Sequence, residues 1–85
     1  MYKIRFTKLA ISDIDKLKSV KLDSKAKNLV EIIKCNPYET YPPYEKLVGD
    51  LLGLYSRRIN IHHRLVYSVN EQEKTITIIR MWNHY

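Results

Sequence analysis

The chain has 85 residues, enough for one small domain with a single core. Hydrophobic residues at 45% and charged residues at 28% are typical of a globular protein and exclude a disordered chain. Fifteen Lys and Arg against nine Asp and Glu give a net charge of +6, which favours a polyanionic partner: nucleic acid, an acidic protein or an anionic membrane surface. The lone cysteine, Cys35, excludes an internal disulfide and fits a reducing compartment. The sequence has no run of about twenty apolar residues, which is the length that a membrane-spanning helix needs. We therefore expect a cytoplasmic protein.

The first third of the chain predicts one strand and two helices. Apolar residues that alternate with Lys3 and Arg5 predict a strand at a sheet edge: Tyr2, Ile4 and Phe6. Thr7 can then cap a helix that runs to about Ser19. Its predicted apolar stripe consists of Ala10, Ile11, Ile14 and Leu17.

A second helix is predicted to begin at Asp23 or Ser24 and to end by Asn36, because Pro37 disfavours helical geometry in the residue before it. Its apolar residues follow the i, i+3, i+4, i+7 spacing: Ala26, Leu29, Val30 and Ile33. The two helices should form a hairpin joined at residues 20–22. Three lysines would then lie at its tip or outer face, namely Lys18, Lys21 and Lys25.

Residues 36–44 hold three prolines, which predicts a loop stiffened by fixed φ angles, with Glu45 at its exit. Residues 46–53 predict a short helical turn or irregular structure.

Residues 54–67 predict a β-hairpin with a short loop at residues 60–62. It carries Arg57, Arg58 and Arg64, whose guanidinium groups suit a phosphate ligand on a rigid sheet, so we interpret the hairpin as the floor of an anion site. Arg57 and Arg58 are adjacent on a strand and must point to opposite faces, so only one should line that site.

Residues 75–82 predict a third strand of the same sheet, in which Ile76 and Ile78 share one face while Ile79 and Met81 lie on the other. This pattern fits either a strand covered on both faces or a β-bulge. The predicted fold class is α+β: an N-terminal strand, a two-helix hairpin and an antiparallel three-stranded meander.

Metal-free RNA cleavage needs a base for the ribose 2′-OH, an acid for the departing 5′ oxygen and cations for the charge on phosphorus. Glu45, His84 and the hairpin arginines could supply these groups. These residues could also have no catalytic role. Glu45 could be a solvated loop carboxylate, and Arg64 could be an exposed cross-strand partner of an acidic residue. The terminal residues could be a frayed tail. His62 and His63 show no recognised spacing for a metal site, so no cofactor or metal is expected.

Two spaced motifs and the terminus carry a resemblance to a known family. They are Ser56-Arg57-Arg58-Ile59, His63-Arg64-Leu65-Val66-Tyr67 and the final His84-Tyr85. Together they resemble the YoeB/Txe toxins of the RelE superfamily. Glu45-Lys46-Leu47 and Gly53 likewise fall where that family has its Pro-Glu-x-Leu and Ser-Gly elements, although Tyr44 replaces the proline and Val48 a common basic residue.

The resemblance implies a toxin of a type II toxin–antitoxin pair that cuts mRNA in the ribosomal A site without a metal. It implies Glu45 as general base, His84 as general acid and Arg64 at the scissile phosphate. Arg58, Tyr85 and Lys46 would contact the RNA. The implied partners are the ribosome, mRNA and an acidic antitoxin of YefM/Phd type, and a homodimer is compatible with the family.

Two other functions remain open. A ParE-like relative would block a topoisomerase without cutting RNA. A non-catalytic RNA-binding module would use the basic hairpin alone, although no aromatic-interleaved RNA-binding motif is evident.

Overall fold

The structure, a computed structural model, describes residues 1–47 and 53–82. Five strands and two helices are formed in these ranges. Their bounds are β1 Lys3–Phe6, α1 Lys8–Ser19, α2 Asp23–Cys35, β2 Tyr44–Lys46, β3 Leu54–Arg58, β4 Arg64–Asn70 and β5 Thr75–Arg80. The predicted strand, helical hairpin and three-stranded meander are confirmed, and the short strand β2 is an addition to the predicted elements.

The strands form one sheet in the order β1-β5-β4-β3-β2. β1 runs parallel to β5, whereas the other neighbouring pairs are antiparallel. The predicted edge position of β1 is therefore confirmed. β2 lies at the opposite edge, so Glu45 is separated from the N-terminal strand by the whole width of the sheet.

The two helices pack on one face of the sheet and enclose the core. The most deeply buried apolar side chains come from both layers: Leu17, Ile33, Leu65, Tyr67, Ile76, Ile78 and Met81. Among the described residues, no helix is long and apolar enough to cross a lipid bilayer.

Thr7 ties the first helix to the sheet. Its Oγ1 accepts a hydrogen bond from Ala10 N at 3.1 Å, which satisfies a free amide of the first turn, and donates to Ile79 O at 2.8 Å. The predicted cap is thus confirmed, and it also fixes the start of α1 against β5.

The predicted apolar stripe of α1 is wrong at one position. Ile11 is 56% exposed, whereas Asp13 is buried on the core side of the helix. The Asp13 carboxylate accepts hydrogen bonds from Arg80 Nε and Met81 N, both at 2.9 Å. A buried carboxylate is tolerated when it is paired and hydrogen-bonded, and an apolar-stripe rule cannot anticipate such a partner 67 residues away.

β5 contains a β-bulge, which is one of the two alternatives that its sequence predicted. Val66 of β4 pairs with Arg80, while the next residue, Tyr67, pairs with Ile78, so Ile79 is the extra residue. The bulge shifts the alternation by one position, and Ile78 and Met81 both become buried in the core.

Candidate active site

Strand register places four polar side chains on the sheet face that does not carry the helices. Glu45 of β2 pairs with Ser56 of β3, and Arg58 of β3 pairs with Arg64 of β4. Ser56 and Arg58 are two residues apart on one strand, so their side chains share a face. Glu45 therefore lies at the exit of the proline-rich loop, as predicted, but within a short strand, and pairing with β3 sets its direction.

The Arg64 guanidinium joins this group into one network. Its Nε donates to Ser56 Oγ at 2.7 Å, and one terminal nitrogen donates to Glu45 Oε1 at 2.5 Å. The Arg64 side chain is 19% exposed, whereas that of Glu45 is 64% exposed. The hydrogen bond to Ser56 thus fixes the Arg64 guanidinium, while the Glu45 carboxylate faces solvent. Sequence reasoning missed Ser56, which alternation alone would have placed on the face of Arg58.

Arg57 and Arg58 have different surroundings, as their adjacency on a strand requires. Arg58 is exposed and lies beside Arg64. Arg57 is fully buried on the helical side and donates to Tyr67 Oη and to the carbonyl oxygens of Pro37, Glu39 and Pro42 at 2.5 to 3.1 Å.

Only one of these two adjacent arginines was expected to line the anion site, and Arg57 is the one that points away from it. This side chain closes residues 37–42 onto the sheet and uses its donors within the protein. Tyr67 belongs to the same network, since its hydroxyl donates to Pro37 O at 2.7 Å. Burial raises the pKa of Tyr67, and the hydrogen bond and charge of Arg57 oppose that shift.

Lys46 is not brought together with Glu45. It pairs with Tyr55 and, as the next residue of β2, points to the opposite sheet face. It is exposed there, on the side of Tyr44 and Arg57.

His84 and Tyr85 lie outside the described residues, as does Val48. The described chain ends at Trp82, whose indole stacks on the His63 imidazole with ring centroids 4.0 Å apart. His63 directly precedes Arg64, so residue 82 lies against the hairpin that carries the arginines. His63 Nδ1 is buried and has no hydrogen-bond partner among the described residues.

A cleft of about 600 Å³ opens beside the network. Residues 42–45, the β3–β4 loop and Lys25 of α2 form its walls, together with Arg58 and Arg64. The sequence predicted Lys25 only at the tip or outer face of the helical hairpin. Within the described ranges, no three side chains of the metal-binding types come together.

Comparison with known proteins identifies relatives of this chain. Residues 6–85 match the family model of the YoeB-like toxin of bacterial type II toxin–antitoxin systems. Toxin YoeB of Synechocystis is 34% identical over 85 residues, covering 98% of this chain and 96% of that protein.

Two solved structures from Staphylococcus aureus resemble the fold. The heterotetrameric YoeB-YefM toxin–antitoxin complex has a chain that is 35% identical, with a TM-score of 0.82 and coverage of 100% and 99%. The YoeB dimer is 36% identical, with a TM-score of 0.83 and coverage of 99% and 98%. The family model spans nearly the whole chain and the Synechocystis relative covers it at this identity, so the chain belongs to the YoeB family of toxins of bacterial type II toxin–antitoxin systems.

Proposed function

We propose that this toxin is a ribosome-dependent, metal-independent endoribonuclease that cuts mRNA in the A site by acid–base transesterification. The observation that carries the proposal is the contact between the solvent-facing carboxylate of Glu45 and the guanidinium of Arg64, which also donates to Ser56. A base and a phosphate-binding cation side by side suit the two neighbouring groups of RNA that react, the 2′-OH and the phosphate.

In the proposed reaction Glu45 takes the proton of the 2′-OH, and the 2′ oxygen attacks phosphorus. Arg64 stabilises the charge that develops on the phosphoryl oxygens, and Arg58 is a second cation beside it. His84 gives a proton to the departing 5′ oxygen. The bond from phosphorus to the 5′ oxygen breaks, leaving a 2′,3′-cyclic phosphate and a 5′-hydroxyl.

The start of the terminal segment is compatible with this role for His84. Trp82 stacks on His63, the neighbour of Arg64, and two peptide units reach at most about 7 Å beyond it. Tyr85 would help to position the nucleotide. Lys46 could reach only RNA that passes around the edge strand, because it points away from Glu45.

We further propose an acidic, partly disordered YefM/Phd-type antitoxin as partner, with the ribosome and mRNA as targets in the cytoplasm. Support comes from the net charge of +6 and from the S. aureus relative, which has been solved with YefM. The same relative has been solved as a dimer, so we extend the proposal to a homodimer.

Cleavage mapping on purified ribosomes tests the function. We expect cuts in A-site codons with a 5′-hydroxyl end, and no cut where the scissile nucleotide carries a 2′-deoxyribose. A zinc chelator that leaves Mg²⁺ on the ribosome should not change the rate. Intact transcripts would refute the nuclease and favour a ParE-like block of a topoisomerase, while a 5′-phosphate end would refute the proposed chemistry.

Glu45→Gln should slow cleavage by at least about a hundredfold, the scale of general-base catalysis. Glu31→Gln is the matched control, because Glu31 is an exposed carboxylate on α2 outside the cleft. If Glu45→Gln inhibited growth and bound ribosomes as well as the unchanged toxin but cut equally fast, the base would have to be another residue.

A further inference from the structure

The described residues that line the cleft beside the active-site network carry more positive than negative charge. Among the described residues, three cations line it, Lys25, Arg58 and Arg64, against one carboxylate, Glu45. Arg64 and Glu45 pair with each other. Lys25 and Arg58 therefore remain as two further cations that line the same cleft.

Neither remaining cation is engaged by the described part of the protein. Lys25 and Arg58 are exposed, and within residues 1–47 and 53–82 neither side chain makes a hydrogen bond or an ion pair. Two like charges that have no ionic partner among the described residues repel each other around one concavity and favour an anion between them.

Helix stability does not explain a lysine at this position. Lys25 is the third residue of α2, in the first turn, where the helix dipole disfavours a cation. Two residues further on, Lys27 is also exposed, but it lines a different groove between β1 and the helices. Lys27 is therefore a matched control for Lys25, because it is an exposed lysine of the same helix that does not line the active-site cleft.

The cleft also offers apolar surface. Ile61, in the β3–β4 loop, is 79% exposed, and exposed Pro43 lies on the proline-rich side. A site with two cations and exposed apolar groups matches a nucleotide, which presents a phosphate and an apolar sugar and base face.

We propose that Lys25 and Arg58 form a subsite for an mRNA phosphate next to the scissile one, with Ile61 and Pro43 against the adjoining nucleoside. This inference rests on the proposed function and names a further contact in the same site. Arg64 holds the scissile phosphate and Lys25 the neighbouring one, while Arg58 pairs with Arg64 in the sheet and lines the same cleft.

The test uses the complete toxin on programmed ribosomes, with mRNAs that carry one neutral methylphosphonate linkage at a time on either side of the cut. We expect Lys25→Ala to lower kcat/KM about tenfold and to reduce the slope of its logarithm against the logarithm of salt concentration by about 0.7. One flanking neutral linkage should slow the unchanged toxin but not Lys25→Ala, because the variant no longer uses that charge. Lys27→Ala should behave as the unchanged toxin throughout.

Two results would overturn the subsite while leaving the nuclease intact. In one, Lys25→Ala matches Lys27→Ala. In the other, Lys25→Ala is slow yet loses the same further factor at every neutral linkage, which would place the lysine on ribosomal RNA instead. Failure of the unchanged toxin to cut any mRNA would overturn the proposed function, and the subsite with it.

Discussion

Ser56 shows how a residue without chemistry of its own can fix a functional group. It is 2% exposed, lies opposite Glu45 in the sheet, and accepts the Nε hydrogen of Arg64. An arginine has several rotatable bonds, and a contact at Nε restricts where its terminal nitrogens point, one of which donates to Glu45. The serine thereby sets the direction of the guanidinium.

We expect Ser56→Ala to lower the single-turnover cleavage rate about tenfold, since a hydrogen bond to a charged group contributes about 1.5 kcal/mol. The apparent affinity for ribosomes should be unchanged. Ser68→Ala, on the neighbouring strand and outside the cleft, is the control. A Ser56→Ala/Arg64→Ala double variant should be no slower than Arg64→Ala alone, and a further tenfold loss would show that Ser56 acts independently of Arg64.

The motifs predicted Glu45, Arg58 and Arg64 as site residues, and the structure places all three around one cleft. Ser56 and Lys25 were not predicted. The contact of Ser56 depends on the pairing of β2 with β3, and the proposed role of Lys25 depends on a cleft that it lines together with the β3–β4 loop. Neither relation leaves a periodic signal in the sequence.

At the level of elements, Arg57 holds the proline-rich segment in place. Its donors satisfy three carbonyl oxygens between residues 37 and 42, and this segment leads directly into β2. The position of Glu45 therefore depends on a buried cation on the other side of the sheet.

Arg57→Met should lower the free energy of unfolding by about 3 kcal/mol, because it leaves buried carbonyl oxygens without a donor. Arg58→Met, at the exposed neighbouring position, should change it by less than about 0.5 kcal/mol. Urea denaturation followed by circular dichroism gives both values. Equal effects of the two substitutions would contradict the structural role of Arg57.

Glu71 links the β4–β5 turn to two other parts of the chain. Its carboxylate accepts hydrogen bonds from Tyr38 Oη, Tyr2 Oη and Lys74 Nζ. The hydrogen bond from Tyr38 is the largest cause, followed by those from Lys74 and Tyr2, of a Glu71 pKa lowered to about 2. Burial, followed by the hydrogen bond to Glu71, raises the pKa of Tyr38.

This shift predicts a pH dependence of stability. The folded pKa of Glu71 lies below its ordinary value of 4.5, so its contribution is present above pH 4.5 and is lost as the pH falls towards 2. Between these limits, thermal unfolding of Glu71→Gln should depend less on pH than that of the unchanged protein. Glu73→Gln, in the same turn, should retain the original slope, and an unchanged slope in Glu71→Gln would contradict the prediction.

Helix bounds and the meander could be predicted because capping residues, prolines and periodic apolar residues mark them locally. β2 was missed since three residues, Tyr44 to Lys46, are too few to show alternation, and pairing with β3 defines the strand. The bulge at Ile79 remained one of two alternatives because only the register with β4 distinguishes them.

For the whole molecule, the charge distribution and the sheet serve the same proposed task. Eight of the ten lysines lie within the first 35 residues, largely on the helices, and four of the five arginines lie at or after Arg57. Lysines on the helical layer can attract RNA over a distance, while the sheet sets the face on which Arg58 and Arg64 lie.

The central claim is that a base, Glu45, and an acid, His84, act on opposite sides of one sugar–phosphate link. The most direct measurement is single-turnover cleavage of an mRNA whose scissile 5′ oxygen is replaced by sulfur. Sulfur leaves without protonation, so His84→Gln should cut this substrate at nearly the rate of the unchanged toxin while remaining slow on normal mRNA. Glu45→Gln should be slow on both substrates. An equal loss of rate for His84→Gln on both would contradict the assignment of the acid.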